Sequence, residues 1–337
     1  MDELFNVFDS DWEECSDSAY LDTNQEKLLS KRIEALVWRL IGSDQCHFEI
    51  VQCKSGGKLH VSGTGRSLMV LVDRVKDVVR SHKYTDKYNV DPIQSVFLSS
   101  ARAYHSAYNE LLLSGSPSLE SQVMLGVAVV EDIRFTCRQL GLEQLKRKMD
   151  KGVAQRKASV LAYIDSLFNY RARLLVVRLD LHYRKGRFLE RETFFEEDLA
   201  RVKHDWDALY HDIKNGLVSD LVGFVVKIEY GILTGFHMHT LLMFDGSKRR
   251  GDVVIAEIIG RHWVSKVTNG LGRYYSCNRN AQLYRSRGIG MIHRSDDLRN
   301  NLNDVVAQYL VKADTVLSWM CPRKRTFFRG WTVSSIE

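Results

Sequence analysis

The sequence predicts an α+β protein in two parts, a mainly helical N-terminal region and a C-terminal antiparallel sheet that carries helices. Three observations predict it. Apolar residues recur at helical spacing through most of the segment from Asn24 to Tyr170. From Arg173 onward they shift to short, β-rich runs of strand length. Two of those runs, Leu221–Tyr230 and Phe236–Phe244, are joined only by the short Gly231–Gly235 connection, which favours an antiparallel hairpin.

Residues 1–22 are expected to form a flexible tail, with eight acidic residues and no Lys or Arg. Leu28, Leu29, Ile33, Leu36, Val37 and Leu40 then mark a helix over Asn24–Ile41. His47–Val61, split by Gly56-Gly57, reads as a hairpin. Further helices are expected over Arg66–Arg80, Pro92–Leu113, Ser118–Lys148 and Gly152–Tyr170, with Pro92 and Pro117 near two of their starts, where a missing N–H is tolerated. No catalytic constellation stands out in residues 23–170.

In the second half, Leu174–Tyr183 alternates. Arg178, Asp180 and His182 fall on one face, and Leu179, Leu181 and Tyr183 on the other. Phe194–Asn215 reads as a helix ending before Gly216. The hairpin follows, then a helix over Gly251–Val267, a strand over Gly288–His293 and an amphipathic helix over Leu298–Leu317. The order β-α-β-β-α-β-α matches a ferredoxin-like sheet with helices packed on one face, plus an added helix. The opposite face is then free to hold a site. Residues 171–320 form this domain, and residues 321–337 a basic C-terminal tail.

Composition sets the outer limits. The 337 residues are enough for two ordinary domains, and 45% hydrophobic with 27% charged residues is the balance of a soluble globular protein. No apolar stretch approaches the ~20 residues of a membrane span, so no membrane partner is expected. Met1-Asp2-Glu3-Leu4-Phe5 lacks a signal-peptide pattern, which points to the cytoplasm. Cys15, Cys46, Cys53, Cys137, Cys277 and Cys321 form no CxxC pair, so reduced thiols are expected and a zinc knuckle is not. Net charge is +6, and from Gly246 to Glu337 sixteen Lys or Arg stand against seven acids. A basic patch there attracts polyanions and makes their binding salt-dependent.

The chemistry concentrates in Phe236-His237-Met238-His239-Thr240. Side chains alternate along a strand, so both imidazoles leave one face, about 7 Å apart. With eleven histidines in the chain, a chance HxH arises roughly 0.4 times, so the position matters more than the pattern. Here the pair lies in a strand run, and Glu229 lies near the end of the run before it. Neighbouring strands are about 4.8 Å apart, which lets Glu229, His237 and His239 converge on one divalent metal. Two imidazoles and a carboxylate suit Mg²⁺ or Mn²⁺, accept Zn²⁺ as well, and leave positions open for water and a phosphate oxygen.

Tyr309 and Lys312 follow, three residues apart on the expected helix and so on one face. A phenol titrates near pKa 10 and attacks poorly unless its charge is stabilised, which Lys312 would do. Tyr84-Thr85-Asp86-Lys87 repeats the spacing in a polar loop, but Tyr309 is preferred because its helix follows the metal strands. Tyr274 and Tyr275, close to Arg273 and Arg279, are rival nucleophiles. Asp180 and His182 are candidates to line the site. Arg178, Arg285, Arg287, Arg294, Arg323, Lys324 and Arg325 are candidates to grip a DNA backbone, and Phe327, Phe328 and Trp331 to stack bases.

Taken together, Glu229, His237-Met238-His239 and Tyr309-Leu310-Val311-Lys312 resemble the motifs of the HUH endonucleases, the rolling-circle replication initiators. Arg178-Leu179-Asp180-Leu181-His182-Tyr183 and Gln308-Tyr309-Leu310-Val311-Lys312-Ala313-Asp314 look like the YagK/YfjJ C-terminal domain family. That group is related to inovirus replication proteins and occurs in bacterial prophages and integrative elements. The resemblance implies a bacterial, cytoplasmic, metal-dependent enzyme that nicks and joins single-stranded DNA or a hairpin origin. Tyr309 would be the nucleophile of a 5′-phosphotyrosyl intermediate, and host replication proteins are candidate partners. With one motif tyrosine, a second nicking step needs a partner subunit or water. Two other readings stay open: a catalytically inactive DNA-binding or regulatory protein that keeps the fold, and a nuclease that uses water.

Overall fold

The computed structural model describes residues 17–54, 56–76, 91–184, 195–231, 234–284 and 287–331. Residues 1–16 of the expected tail, Tyr84–Lys87 and Arg285 lie outside them. The chain divides into two compact units between Arg147 and Lys148.

In the first unit, α1 spans Asp17–Ile41, so helix begins inside the segment expected to be a tail. Strands β1 (Phe48–Cys53) and β2 (Gly56–Val61) form the expected hairpin, closing at Cys53 opposite Gly56. Ser62 caps α2 (Gly63–Arg74), and Asp91 accepts from the Ile93 and Gln94 N–H groups to start α3 (Pro92–Leu113). Ser118 caps α4 (Leu119–Gln139). Fully buried Val37, Leu40, Leu68, Phe97 and Ile133 form the core of this unit.

The helix expected over Ser118–Lys148 is broken. Gly141, at φ +66°, ends it by donating its N–H to the Arg138 carbonyl, and α5 (Leu142–Tyr170) begins there. α5 then continues through Gly152, where the sequence suggested a new start. A glycine interrupts a helix only where the chain adopts a non-helical backbone, and Gly152 keeps a negative φ.

The second unit contains α5 from Lys148 onward. It continues with β3 (Arg173–Tyr183), α6 (Phe195–Asp212), β4 (Leu221–Gly231), β5 (Gly235–Asp245), α7 (Asp252–His262), β6 (Gly272–Ser276) and β7 (Gly290–His293). Three short helices follow, α8 (Asp297–Asn301), α9 (Ala307–Leu310) and α10 (Thr315–Met320), then β8 (Phe327–Arg329). The six strands form an open sheet ordered β6-β3-β5-β4-β8, with β7 also paired to β3 and every pair antiparallel.

Three expectations are corrected. β6, which periodicity missed, pairs with Leu179–Tyr183, and β7 takes Arg173–Val176 of the same edge. Helices cover both faces of the sheet. On one, Tyr183 donates to Asp205 of α6 at 2.9 Å, and Phe195 packs on Phe236. On the other, Tyr163, Leu167 and Phe168 of α5, with Leu302 and Leu310, bury Leu174, Val176, Val225 and Leu241. Those apolar residues share a face with Arg178 and Asp180, so only the polar end of that face is left for a site. Finally, the expected basic tail contains β8, an edge strand whose Phe327 pairs with Lys227. No helix among the described residues is long and apolar enough to cross a membrane.

Candidate metal and nucleophile site

Strand register builds the site. Asp180 lies opposite His239, His182 opposite His237, and Glu229 opposite His237 on the other side. Directly opposed residues in an antiparallel pair project from the same face, so three strands deliver Asp180, His182, His237, His239 and Glu229 to one patch. Arg178 and Lys227 join them by the same alternation.

The imidazoles are oriented. The His237 Nδ1–H donates to the Gly235 carbonyl at 3.0 Å, since a carbonyl can only accept. Gly235 itself sits at φ +66°, a conformation that suits glycine. Nδ1 of His239 lies 2.8 Å from Asp180 Oδ1 in an ion pair. Both Nε2 atoms therefore turn to Glu229 Oε2, at 3.8 Å from His237 and 3.5 Å from His239. One ligand atom from each of the three residues lies within 4.8 Å of the others. Two imidazole nitrogens and a carboxylate oxygen with an outer carboxylate behind one imidazole fit a divalent ion.

Electrostatics reinforce the arrangement. Burial opposes a charged His239, yet the Asp180 carboxylate, helped by Glu229, holds its pKa up at about 9. Burial likewise opposes ionised Glu229, but the hydrogen bond from His239 and the charges of His239, His237 and Lys227 hold it down at about 2. His237 and His182 are pushed below the ordinary histidine value by burial and by neighbouring imidazoles. Their rings stack in parallel, centroids 5.0 Å apart.

Tyr309 reaches this patch from α9. Its ring stands edge-on to His239, centroids 5.1 Å apart. The Arg178 guanidinium lies 4.5 Å from the Tyr309 centroid and the Lys312 ammonium 4.7 Å from it. Burial pushes the phenol above its ordinary pKa, and the Arg178 charge pulls it back. The segment is held from two sides. Arg156 of α5 donates to the Val311 carbonyl, and Asp314 accepts from the Tyr230 N–H at 2.7 Å and the Leu317 N–H at 2.8 Å. The expected single helix Leu298–Leu317 is thus interrupted: α9 ends at Leu310, and Asp314 caps α10.

Other candidates are redistributed. Arg178 is 3% exposed, and its guanidinium lies against the Tyr309 ring. Arg287, Arg294, Arg323, Lys324 and Arg325 are exposed. Arg294 follows β7 at the opposite end of β3 from His182, roughly 20 Å or more along the strand. Tyr274 donates to Glu257 of α7 at 2.8 Å, whereas Tyr275 lies opposite Asp180 and is buried. Two further residues were given no role by the sequence. Lys227, 2% exposed, shares the Glu229 face, and burial lowers its pKa while Asp314 and Glu229 raise it. Asp314 is pushed up to about 6 by burial. The period-two spacing Lys227/Glu229 and the cap pattern Asp314-Thr315 were the signals that could have found them.

A family model, the YagK/YfjJ C-terminal domain, matches residues 139–327. No match was found among the curated proteins or the solved structures.

Proposed function

The chain belongs to the YagK/YfjJ C-terminal domain family, and from that membership and the geometry above we propose that it nicks and joins single-stranded DNA through Tyr309. The strand order β6-β3-β5-β4, antiparallel throughout, supports reading the second unit as a ferredoxin-like sheet of the HUH type. One observation carries the chemistry: the Tyr309 ring touches His239, a member of the Glu229/His237/His239 cluster. Those three residues would hold Mg²⁺ or Mn²⁺, which when bound supplies Lewis-acid polarisation of the scissile phosphate.

The protein's own residues do the rest. The Tyr309 oxygen attacks phosphorus, the Oη–P bond forms, and the P–O3′ bond breaks, leaving a free 3′ hydroxyl and a 5′-phosphotyrosyl link. The proton released by the phenol is balanced by the one the departing 3′ oxygen takes up, and Arg178 and Lys312 offset the negative charge that develops on the oxygen and the phosphate. The link stores the energy of the cut bond, so a 3′ hydroxyl can reverse the reaction without ATP. Replication initiation for a phage, prophage or plasmid-like element is the setting this activity serves, with DNA as partner.

The test is a denaturing gel of protein incubated with Mn²⁺ and single-stranded origin oligonucleotides. A metal-dependent covalent adduct is expected, abolished by Tyr309→Phe, and an undiminished adduct in that variant refutes the assignment. A second reading, an inactive DNA-binding protein, is favoured by the burial of Tyr309, which opposes formation of the phenolate. It predicts DNA binding with no adduct under any metal.

A further inference from the structure

A cleft of about 690 Å³ lies along the outer edge of the sheet, at β8, between α5 and α6. Its walls combine two chemistries. Trp206 and Tyr210 of α6 and Phe224 of β4 form a continuous aromatic wall, with Tyr210 and Phe224 centroids 4.7 Å apart. Phe328 lines it from β8, and Trp331, 80% exposed, stands at its end.

Cations gather on one of these rings, Phe328. The Arg325 guanidinium lies 5.0 Å from the Phe328 centroid and the Lys203 ammonium 6.0 Å from it. Burial lowers the Lys203 pKa, and repulsion from Lys324 and Arg325 lowers it further, so positive charge is crowded here. Lys324 is paired to Glu196 at 3.0 Å, and Asp207 lines the cleft, but Arg156 and Arg329 line it too, so cations outnumber acids. Nothing in the proposed nicking chemistry uses any of these residues.

We propose that this cleft binds single-stranded DNA, with unpaired bases stacked on Phe328 and Trp331 and phosphates on Lys203, Lys324 and Arg325. Flat rings interleaved with crowded cations match an alternation of bases and phosphates, whereas a duplex hides its base faces. The choice of DNA over other polyanions rests on the nicking reading. Phe328 pairs with Val226 and so faces away from Glu229, while its neighbour Phe327 pairs with Lys227 on the Glu229 face, so a strand leaving the cleft reaches the metal cluster around the β8 edge.

Anisotropy of a labelled oligo-dT, read in EDTA so that no cleavage occurs, tests the cleft alone. Trp331→Ala, with Phe328→Ala as a second variant, is expected to weaken binding by about tenfold or more. The double variant Lys324→Ala/Arg325→Ala should reduce the magnitude of the log–log salt slope by about 1.4, two phosphate contacts at 0.7 each. Trp331 is too exposed to disturb folding, and a thermal melt checks each protein. Wild-type affinity in both aromatic variants overturns the proposal, as does equal competition by duplex. The wild-type adduct assay, run beside it, separates the two readings. Adduct without cleft-dependent binding sinks only the cleft, and cleft-dependent binding without adduct sinks only the nickase.

Discussion

Asp180→Asn is the most informative single change. It keeps the shape of a residue that is 6% exposed and removes a charge that two neighbours use. Asp180 Oδ1 lies 2.8 Å from His239 Nδ1, and its Oδ2 lies 3.6 Å from Arg178 Nη2. Removing one partner of a buried ion pair costs about 3–5 kcal/mol, so urea unfolding in EDTA should show a loss of that order. The proposed metal site loses something separate, the outer carboxylate that orients and polarises His239. Such losses weaken metal binding about 10–100-fold, equivalent to about 1.4–2.7 kcal/mol. Calorimetric titration with Mn²⁺, at a temperature where the variant is folded, reads that second number directly. Wild-type Mn²⁺ affinity in the folded variant would mean that Asp180 does not position His239.

Three further outcomes follow from other parts of the molecule. Gly260→Ala should lower the melting temperature, because the new methyl would run into the Tyr274 ring; overpacking of about 1–3 kcal/mol exceeds the ~1 kcal/mol gained in helix propensity. Thiol labelling at pH 8 should reach exposed Cys46 and Cys53 first. Burial pushes Cys137 and Cys277 up to about 12 and Cys321 to about 11, and peptide mapping should find these three labelled only after unfolding. For Asp220, burial opposes ionisation, but Arg249 at 2.9 Å and Lys248 at 3.5 Å hold the carboxyl below its ordinary value. A depressed folded pKa gives stability that is present above the unfolded value and lost as pH falls through the folded one. Asp220→Asn should therefore be less stable than wild type at neutral pH, with the gap closing in acid.

Much of the site was legible because a strand has period two. Alternation alone puts Arg178, Asp180 and His182 on one face, and the short turn after Gly231 forces Glu229 beside His237. Helix starts were legible where Pro92 and Pro117 supplied a local signal. What stayed hidden depends on partners distant in sequence. β6 is only five residues long, and β8 three; such segments are strands because a neighbour's free edge pairs with them. The burial of Arg178 and Lys227 was equally hidden, since nothing local distinguishes a covered cation from a solvated one. Gly141 and Gly152 look alike as letters, and only the turn after α4 selects between them.

The bond from the Tyr230 N–H to Asp314 spans 84 positions in sequence. It fastens the stretch following the candidate nucleophile to the very strand that carries Glu229, the candidate acidic ligand. Phenol and carboxylate are thereby anchored to a common frame, so a distortion at the end of β4 would shift both together. Transplanting Tyr309–Lys312 into another scaffold would carry the reactive group but lose its aim, unless the acid two residues beyond travelled with it.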